Sequence, residues 1–384
     1  MKPLPLAIAC LLAATIGCGG AGFDGYPGSA GTASRTPSGK SGVPGLPDGG
    51  ALAADAGEVP PGDGGVAVTD GGVAVADGGV ALSDAGVAAD AGAAPADAGA
   101  VPPSGPSLAG CPMFPLDSPW NQRVDSLPVD AHSADYLAFM GAGSLMLHPD
   151  FGAPEWGQPF TVVTAAQARV PMSFTYAAES DPGPYPYPPD LPIQTADDRH
   201  AAVLDRDHCL LYETYQTRAS GAGFAADSGA VYDLRSNLLR PEGWTSATAA
   251  GLPILPGMAR YDEAVELGAI EHALAFTAGG SGHGYVHPAT HSSGTSYAVG
   301  APPMGLRVRL RADFDVSGFH GTSLVVLRAL QRYGMFLNDN AGGTFWSVAG
   351  SKDPRWPTQD LEQLKRVPVS AFEVVQLGPI VRGQ

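Results

Sequence analysis

The sequence predicts a mainly β fold: one β-sandwich or jelly-roll-like domain with a few short helices, preceded by a disordered tether. Three observations predict it. Val170, Met172, Phe174 and Tyr176 alternate with Pro171, Ser173 and Thr175, and Leu306, Val308 and Leu310 alternate with Arg307, Arg309 and Arg311. Period two marks a half-buried strand. Helical spacing is confined to short stretches, and residues 19–107 lack the bulky apolar side chains a core needs.

The N-terminal 18 residues read as a lipoprotein signal. Lys2 precedes an apolar run from Leu4 to Ile16, and Gly17-Cys18-Gly19-Gly20 follows. A basic start, a short apolar core and small residues at the cut describe a secretory signal, and the run falls short of the ~20 apolar residues of a membrane span. Thr15-Ile16-Gly17-Cys18 resembles the bacterial lipoprotein signal, in which the cysteine becomes the lipidated first residue, although that family usually has Leu where Thr15 stands. The expected location is the cell envelope, outside the cytoplasm, with the chain anchored to the membrane through Cys18 without spanning it.

Residues 19–107 are mainly Gly, Ala, Pro, Val and Asp, and Asp-Gly-Gly or Asp-Ala-Gly recurs at Asp63, Asp70, Asp77, Asp84, Asp90 and Asp97. The spacing imitates a heptad, but a coiled coil needs large a and d side chains. A β-roll calcium repeat needs a denser glycine pattern with bulky apolar residues. The segment reads as a tether, with a coil end-to-end distance of roughly 50 Å.

The folded domain is expected at residues 108–384. The tether holds ten acids against two bases and the signal holds Lys2, so of the net −17 the domain keeps −10, together with all nine histidines. That sign disfavours nucleic acid, whose binding rests on phosphate neutralisation. Cys10 leaves with the signal, and Cys111 and Cys209 remain in an oxidising compartment, where a disulfide between them is expected.

Within the domain, Ala201–Leu204 and Cys209–Tyr215 read as a hairpin around Asp205-Arg206-Asp207-His208. Further strands are expected over 160–163, 231–234, 269–277, 334–338 and 371–376. Ser133 is placed to cap a short helix. Thr322 is placed to cap a stronger one carrying Leu324, Leu327, Leu330 and Tyr333 and stopped by Gly334. A third short helix is expected over 359–365.

Chemistry-bearing residues follow from this frame. If the turn centres on Arg206 and Asp207, His200 faces Glu213 across the hairpin, close enough for an imidazole–carboxylate hydrogen bond. A register slip destroys that pair. His272 shares a strand face with Ile270, Leu274 and Phe276, where a histidine is more often a satisfied core group than a base. His283, His287 and His291 form a loop cluster; Pro288 excludes a helical metal pair, and solvated loop histidines are the favoured reading, with no metal site assigned. Arg307, Arg309 and Arg311 form either a solvated row or a strip for a substrate carboxylate or sulfate. Trp156, Tyr185 and Tyr187 lie in or near Pro-rich loops, where they either stack on sugars or anchor the loops. Between Pro182 and Pro192 the backbone is expected to be extended with its tyrosines outward.

Arg199-His200, Leu211-Tyr212-Glu213, Gly229-Ala230-Val231, Gly243-Trp-Thr-Ser-Ala247, Gly251-Leu-Pro-Ile-Leu255, Ile270-Glu-His272-Ala-Leu274 and Ala329-Leu-Gln-Arg-Tyr-Gly334 together resemble an uncharacterised family of exported bacterial β-rich domains. The resemblance spans most of residues 112–376. It implies a β-rich extracytoplasmic protein and mildly favours a glycan role, without implying an activity.

Two functions are therefore expected. One is an enzyme on an extracellular polysaccharide or cell-envelope glycan: His200 is the base, Glu213 orients it, His272 and Tyr215 assist, and an arginine holds a uronate for β-elimination. Hydrolysis instead needs paired carboxylates, for which Asp262 and Glu263 stand beside Glu213 as candidates. The other is a non-catalytic surface module that binds glycan or protein. The sequence leaves any cofactor unknown.

Overall fold

The structure is a computed structural model and describes residues 105–153, 156–341 and 345–382. The signal, Cys18 and the tether up to residue 104 lie outside the described residues. The strands are β1 (Ser107–Leu108), β2 (Cys111–Pro112), β3 (Leu147–Pro149), β4 (Thr161–Val163), β5 (Met172–Phe174), β6 (Ala201–Asp205), β7 (Leu210–Tyr215) and β8 (Arg218–Ser220). They continue with β9 (Gly223–Ala226), β10 (Ser228–Asp233), β11 (Leu274–Ala278), β12 (Arg307–Leu310), β13 (Met335–Asn340), β14 (Trp346–Val348) and β15 (Phe372–Val374). The α-helices are α1 (Ser133–Phe139), α2 (Gly321–Arg332) and α3 (Thr358–Leu361). Among the described residues no helix is long and apolar enough to cross a membrane.

The fold is mainly β with few short helices, as expected. Three sheets dominate: β10-β7-β6-β4, β15-β12-β13-β11-β14-β3 and β5-β9-β8. The four-stranded sheet is covered on both sides. Ala202, Leu204 and Leu211 face the large core shared with Ala275, Phe276 and Leu337. Ala201, Val203 and Tyr212 face a second core built with Tyr185, Tyr187 and Phe224. Burial on both faces explains why every residue of β6 is apolar or internally bonded instead of alternating. The pairings β11–β13, β14–β3, β4–β6 and β5–β9 are parallel, a feature that apolar alternation does not report.

Cys111 and Cys209 form a disulfide with Cα atoms 5.4 Å apart. In the chain-entropy model such a staple over a loop of this length contributes roughly 4–5 kcal/mol. It also explains a correction to the hairpin. The observed register pairs Ala202 with Glu213 and Leu204 with Leu211, two residues away from the expected one. Cys209 is drawn out of the strand at φ 52°, and the Asp205 carboxylate accepts from the Asp207 and His208 backbone N–H groups. These features open the turn to four residues. A shift of two preserves the faces but separates His200 from Glu213.

Helix starts depend on tertiary partners. The Ser133 hydroxyl accepts from the Val374 N–H instead of capping α1. Asp360 supplies the carboxylate at the start of α2, accepting from the Thr322 N–H. The α2 stop is as expected, with Gly334 left-handed at φ 66°. The segment 269–273 is not a strand: β11 begins at Leu274, after the Ala273 N–H is captured by the Trp120 carbonyl.

Candidate functional site

Several expected site residues are structural. Glu213 is fully buried, and its two oxygens accept from the Ile254 and Leu255 backbone N–H groups, each at 2.8 Å. Burial pushes its carboxyl up to about 7, with the two N–H donors acting in the opposite direction. Its role is to brace the 252–257 loop.

His272 is fully buried, with Nδ1 2.8 Å from the Ala273 carbonyl and Nε2 3.1 Å from Glu263 Oε2. Both ring nitrogens meet acceptors, and Glu263 also receives Arg260 Nη2 at 2.5 Å. Burial acts to raise the Glu263 carboxyl, and the neighbouring His272 and Arg260 overcome it and hold it below its ordinary value. Asp262 accepts from Arg260 Nε at 3.3 Å. This is a closed cluster built around Arg260.

The arginine row is buried at two of its three positions, so it is not a solvated face. Arg307 and Arg309 are 8 % exposed. Arg307 donates to the carbonyls of Pro119, Gln122 and Tyr333, and burial lowers its guanidinium to about 9. Arg309 donates to Val124 and Leu127 carbonyls and pairs with Glu373 at 2.7 Å. These two side chains fasten the 119–127 segment over the sheet. Only Arg311 is exposed, paired with Asp313.

Tyr185 and Tyr187 point inward, fully buried, not outward from the Pro-rich segment. Their hydroxyls bond the Asp181 carbonyl and the Thr214 hydroxyl, and burial raises both phenols. Trp156 is 43 % exposed and neighbours His148, which stacks on Phe345 with ring centroids 4.6 Å apart.

The loop histidines do not converge. His287 pairs with Glu242 at 2.7 Å, and His291 bonds the Ala249 carbonyl. Among the described residues no group of three or more His, Cys, Asp or Glu is arranged to hold a metal.

What the fold does assemble is a polar cleft. One lobe, of about 350 Å³, is lined by Asp150, Gln158, Gln194, Asp198, His200, Asn338, Asp339, Phe345 and neighbours. The adjoining lobe, of about 420 Å³, shares Asp198, Thr248 and Asp339 and adds Tyr176, Glu179, Tyr215, Ser246, His291 and Ser293. Asp150 follows β3, Asp198 lies on the loop entering β6, and Asp339 stands near the end of β13.

A bulge creates the floor. Phe276 pairs with Leu337 but Thr277 pairs with Asp339, so Asn338 is the extra residue. The break in the pleat lets Asn338, Asp339 and Asn340 all line one lobe, which regular alternation forbids.

The carboxyls differ in setting. Asp339 accepts from the Ala249 N–H at 3.0 Å and the Asn340 N–H at 2.8 Å. Burial nevertheless pushes it up to about 6, aided by the Asp198 charge. Asp150 keeps solvent contact inside the cleft yet lies deep enough among protein atoms that burial, then Asp198, raises it. Asp198 itself is exposed on its loop. Among the described residues, no Arg or Lys lines either lobe and none of the carboxyls of Asp150, Glu179, Asp198 and Asp339 is in an ion pair.

His200 belongs to this cleft in a holding role. Its Nε2 lies 2.9 Å from the Ala247 carbonyl and its Nδ1 2.9 Å from the Gln194 side-chain amide. Burial depresses the imidazole below its ordinary value. With both nitrogens engaged, His200 ties the Asp198 loop to the 245–249 segment. Tyr215 lies beside it, ring centroids 5.7 Å apart.

Asp150, Asp198 and Asp339 were not expected as site residues. They come from three distant stretches, and only tertiary pairing brings them together. No family model matches this chain, and no curated protein or solved structure matches it.

Proposed function

We propose that the chain is an exported lipoprotein, anchored through Cys18, whose folded domain binds and hydrolyses an extracellular or cell-envelope polysaccharide in the acidic cleft. The Cys111–Cys209 disulfide supports an oxidising compartment. One observation carries the glycan reading: a two-lobed cleft presents hydroxyls, amides and carboxyls with aromatic faces and, among the described residues, no Arg or Lys. Sugar recognition needs that mixture of hydrogen-bonding groups and flat apolar surface.

The chemistry shifts from β-elimination to hydrolysis. Elimination beside a uronate needs a cation on the substrate carboxylate and a free base. The arginine row is committed to carbonyls, and His200 has both nitrogens engaged. Hydrolysis needs a carboxyl that gives up a proton near working pH and a second carboxylate within reach. Asp339, raised to about 6, suits the acid, and Asp198, whose charge acts on it, suits the partner.

The test is a depolymerisation screen of the purified full-length chain on bacterial, algal and plant polysaccharides, reading reducing ends and unsaturated-product absorbance together. The expected result is reducing ends without unsaturated products, abolished by Asp339→Asn with binding retained. Unsaturated products would refute hydrolysis. Binding without any product would leave the non-catalytic surface module as the function.

A further inference from the structure

The lining of the cleft is one-sided in its hydrogen-bonding character. Four carboxyls, those of Asp150, Glu179, Asp198 and Asp339, face it, and among the described residues none is in an ion pair. Asn338, only 6 % exposed and placed in the cleft by the bulge, has Oδ1 without a hydrogen-bond partner. Gln158 lines the same lobe, and its Oε1 is likewise unpartnered and buried. Leaving one buried polar atom unpaired costs about 1–3 kcal/mol, so two in one lobe are groups that a ligand donor would satisfy.

We infer that the cleft selects glycans bearing free, protonated amino groups, that is, hexosamine units without their N-acetyl caps. The inference rests on the glycan reading above and narrows it. An ammonium carries three donors and one positive charge, which matches unpaired amide oxygens beside uncompensated carboxylates. An N-acetyl group replaces that charge with an apolar methyl and leaves a single N–H donor. A uronate adds a further negative charge to an already acidic cleft.

A lysine side chain also carries an ammonium. The second lobe favours the sugar: the Ser293 hydroxyl lies there with the Tyr176 and Tyr215 rings, which offer hydrogen bonds and flat faces along a chain of hydroxylated rings.

Calorimetric titration of the full-length chain distinguishes these ligands. The probes are an oligomer of β-1,4-linked glucosamine, its fully N-acetylated counterpart, a neutral gluco-oligosaccharide of equal length and a lysine oligopeptide. The glucosamine oligomer is expected to bind at least about tenfold more tightly than the other two sugars, the worth of one charge-assisted hydrogen bond. Asp198→Asn, on an exposed loop, and Asp150→Asn are each expected to remove most of that preference without changing the melting temperature. Equal affinity for all three sugars would overturn the amine inference and leave the glycan reading standing. Binding of the lysine oligopeptide with no sugar bound, or no binding by any probe, would overturn both.

Discussion

Replacing Arg307 by methionine separates a structural clamp from a binding strip. The guanidinium reaches the Pro119 carbonyl at 2.7 Å, the Gln122 carbonyl at 2.8 Å and the Tyr333 carbonyl at 2.8 Å. Each charge-assisted bond is worth about 1.5–3 kcal/mol, and burial, which lowers the guanidinium to about 9, offsets part of the sum. Methionine fills much of the volume but strands three carbonyls, so the net loss should fall near 3–5 kcal/mol, the range for breaking a buried charged network. Against a total of about 5–15 kcal/mol that is a large share. Urea unfolding followed by tryptophan fluorescence reads it directly, because Trp120 lies in the fastened segment. Arg311→Met is the internal control: that side chain is exposed and pairs only at the surface, so a change within about 0.5 kcal/mol is expected. An Arg307→Met protein with native stability and lost glycan binding would refute the clamp and restore the strip.

Four further outcomes follow from the same geometry. Intact protein in denaturant without reductant should show no thiol from Cys111 or Cys209, and reduction should lower stability by roughly 4–5 kcal/mol. Glu213, raised in the fold from 4.5 to about 7, holds its proton longer folded than unfolded; the associated stability is complete below the unfolded value and is lost as pH rises through about 7. Glu213→Gln should flatten that slope in melts recorded across pH, whereas an unchanged slope would exclude Glu213 as its source. If Asp339 is the acid, turnover should fall as pH rises through about 6, and a rate unchanged from pH 5 to 8 would remove it from that role. Tyr187→Phe should cost about 1 kcal/mol of stability through the lost Thr214 bond and leave glycan binding unchanged, as unfolding and binding measurements on the same protein would show.

What the sequence made legible was local. Period-two runs located β5 and β12, the turn residues located the β6–β7 hairpin, and redox logic paired the two cysteines. What it hid was decided at a distance. The hairpin register depended on Cys209 being pulled from the strand by Cys111, nearly a hundred residues earlier. Tyr185 and Tyr187 sit among prolines and read as outward, yet β7 and β9 supply the apolar surface that buries them. Arg307 and Arg309 alternate like solvated residues, and most of the carbonyls that bind them belong to the irregular 119–127 segment, which has no strand pattern. The cleft acids were the hardest to see, since Asp150, Asp198 and Asp339 carry no shared motif and Asp339 lines the cleft beside a bulge that sequence spacing does not encode.

The position of the disulfide has a mechanical consequence. A pull on the chain from the N-terminal side at residue 105 meets a covalent junction at Cys111, six residues on, and passes through it to Cys209 at the head of β7. The load therefore enters the four-stranded sheet, the layer covered on both sides, and bypasses the 119–127 segment that Arg307 and Arg309 hold by hydrogen bonds. Held by its leading end, the domain would resist shear as a unit, and reduction of this one bond would turn the same pull into a peel.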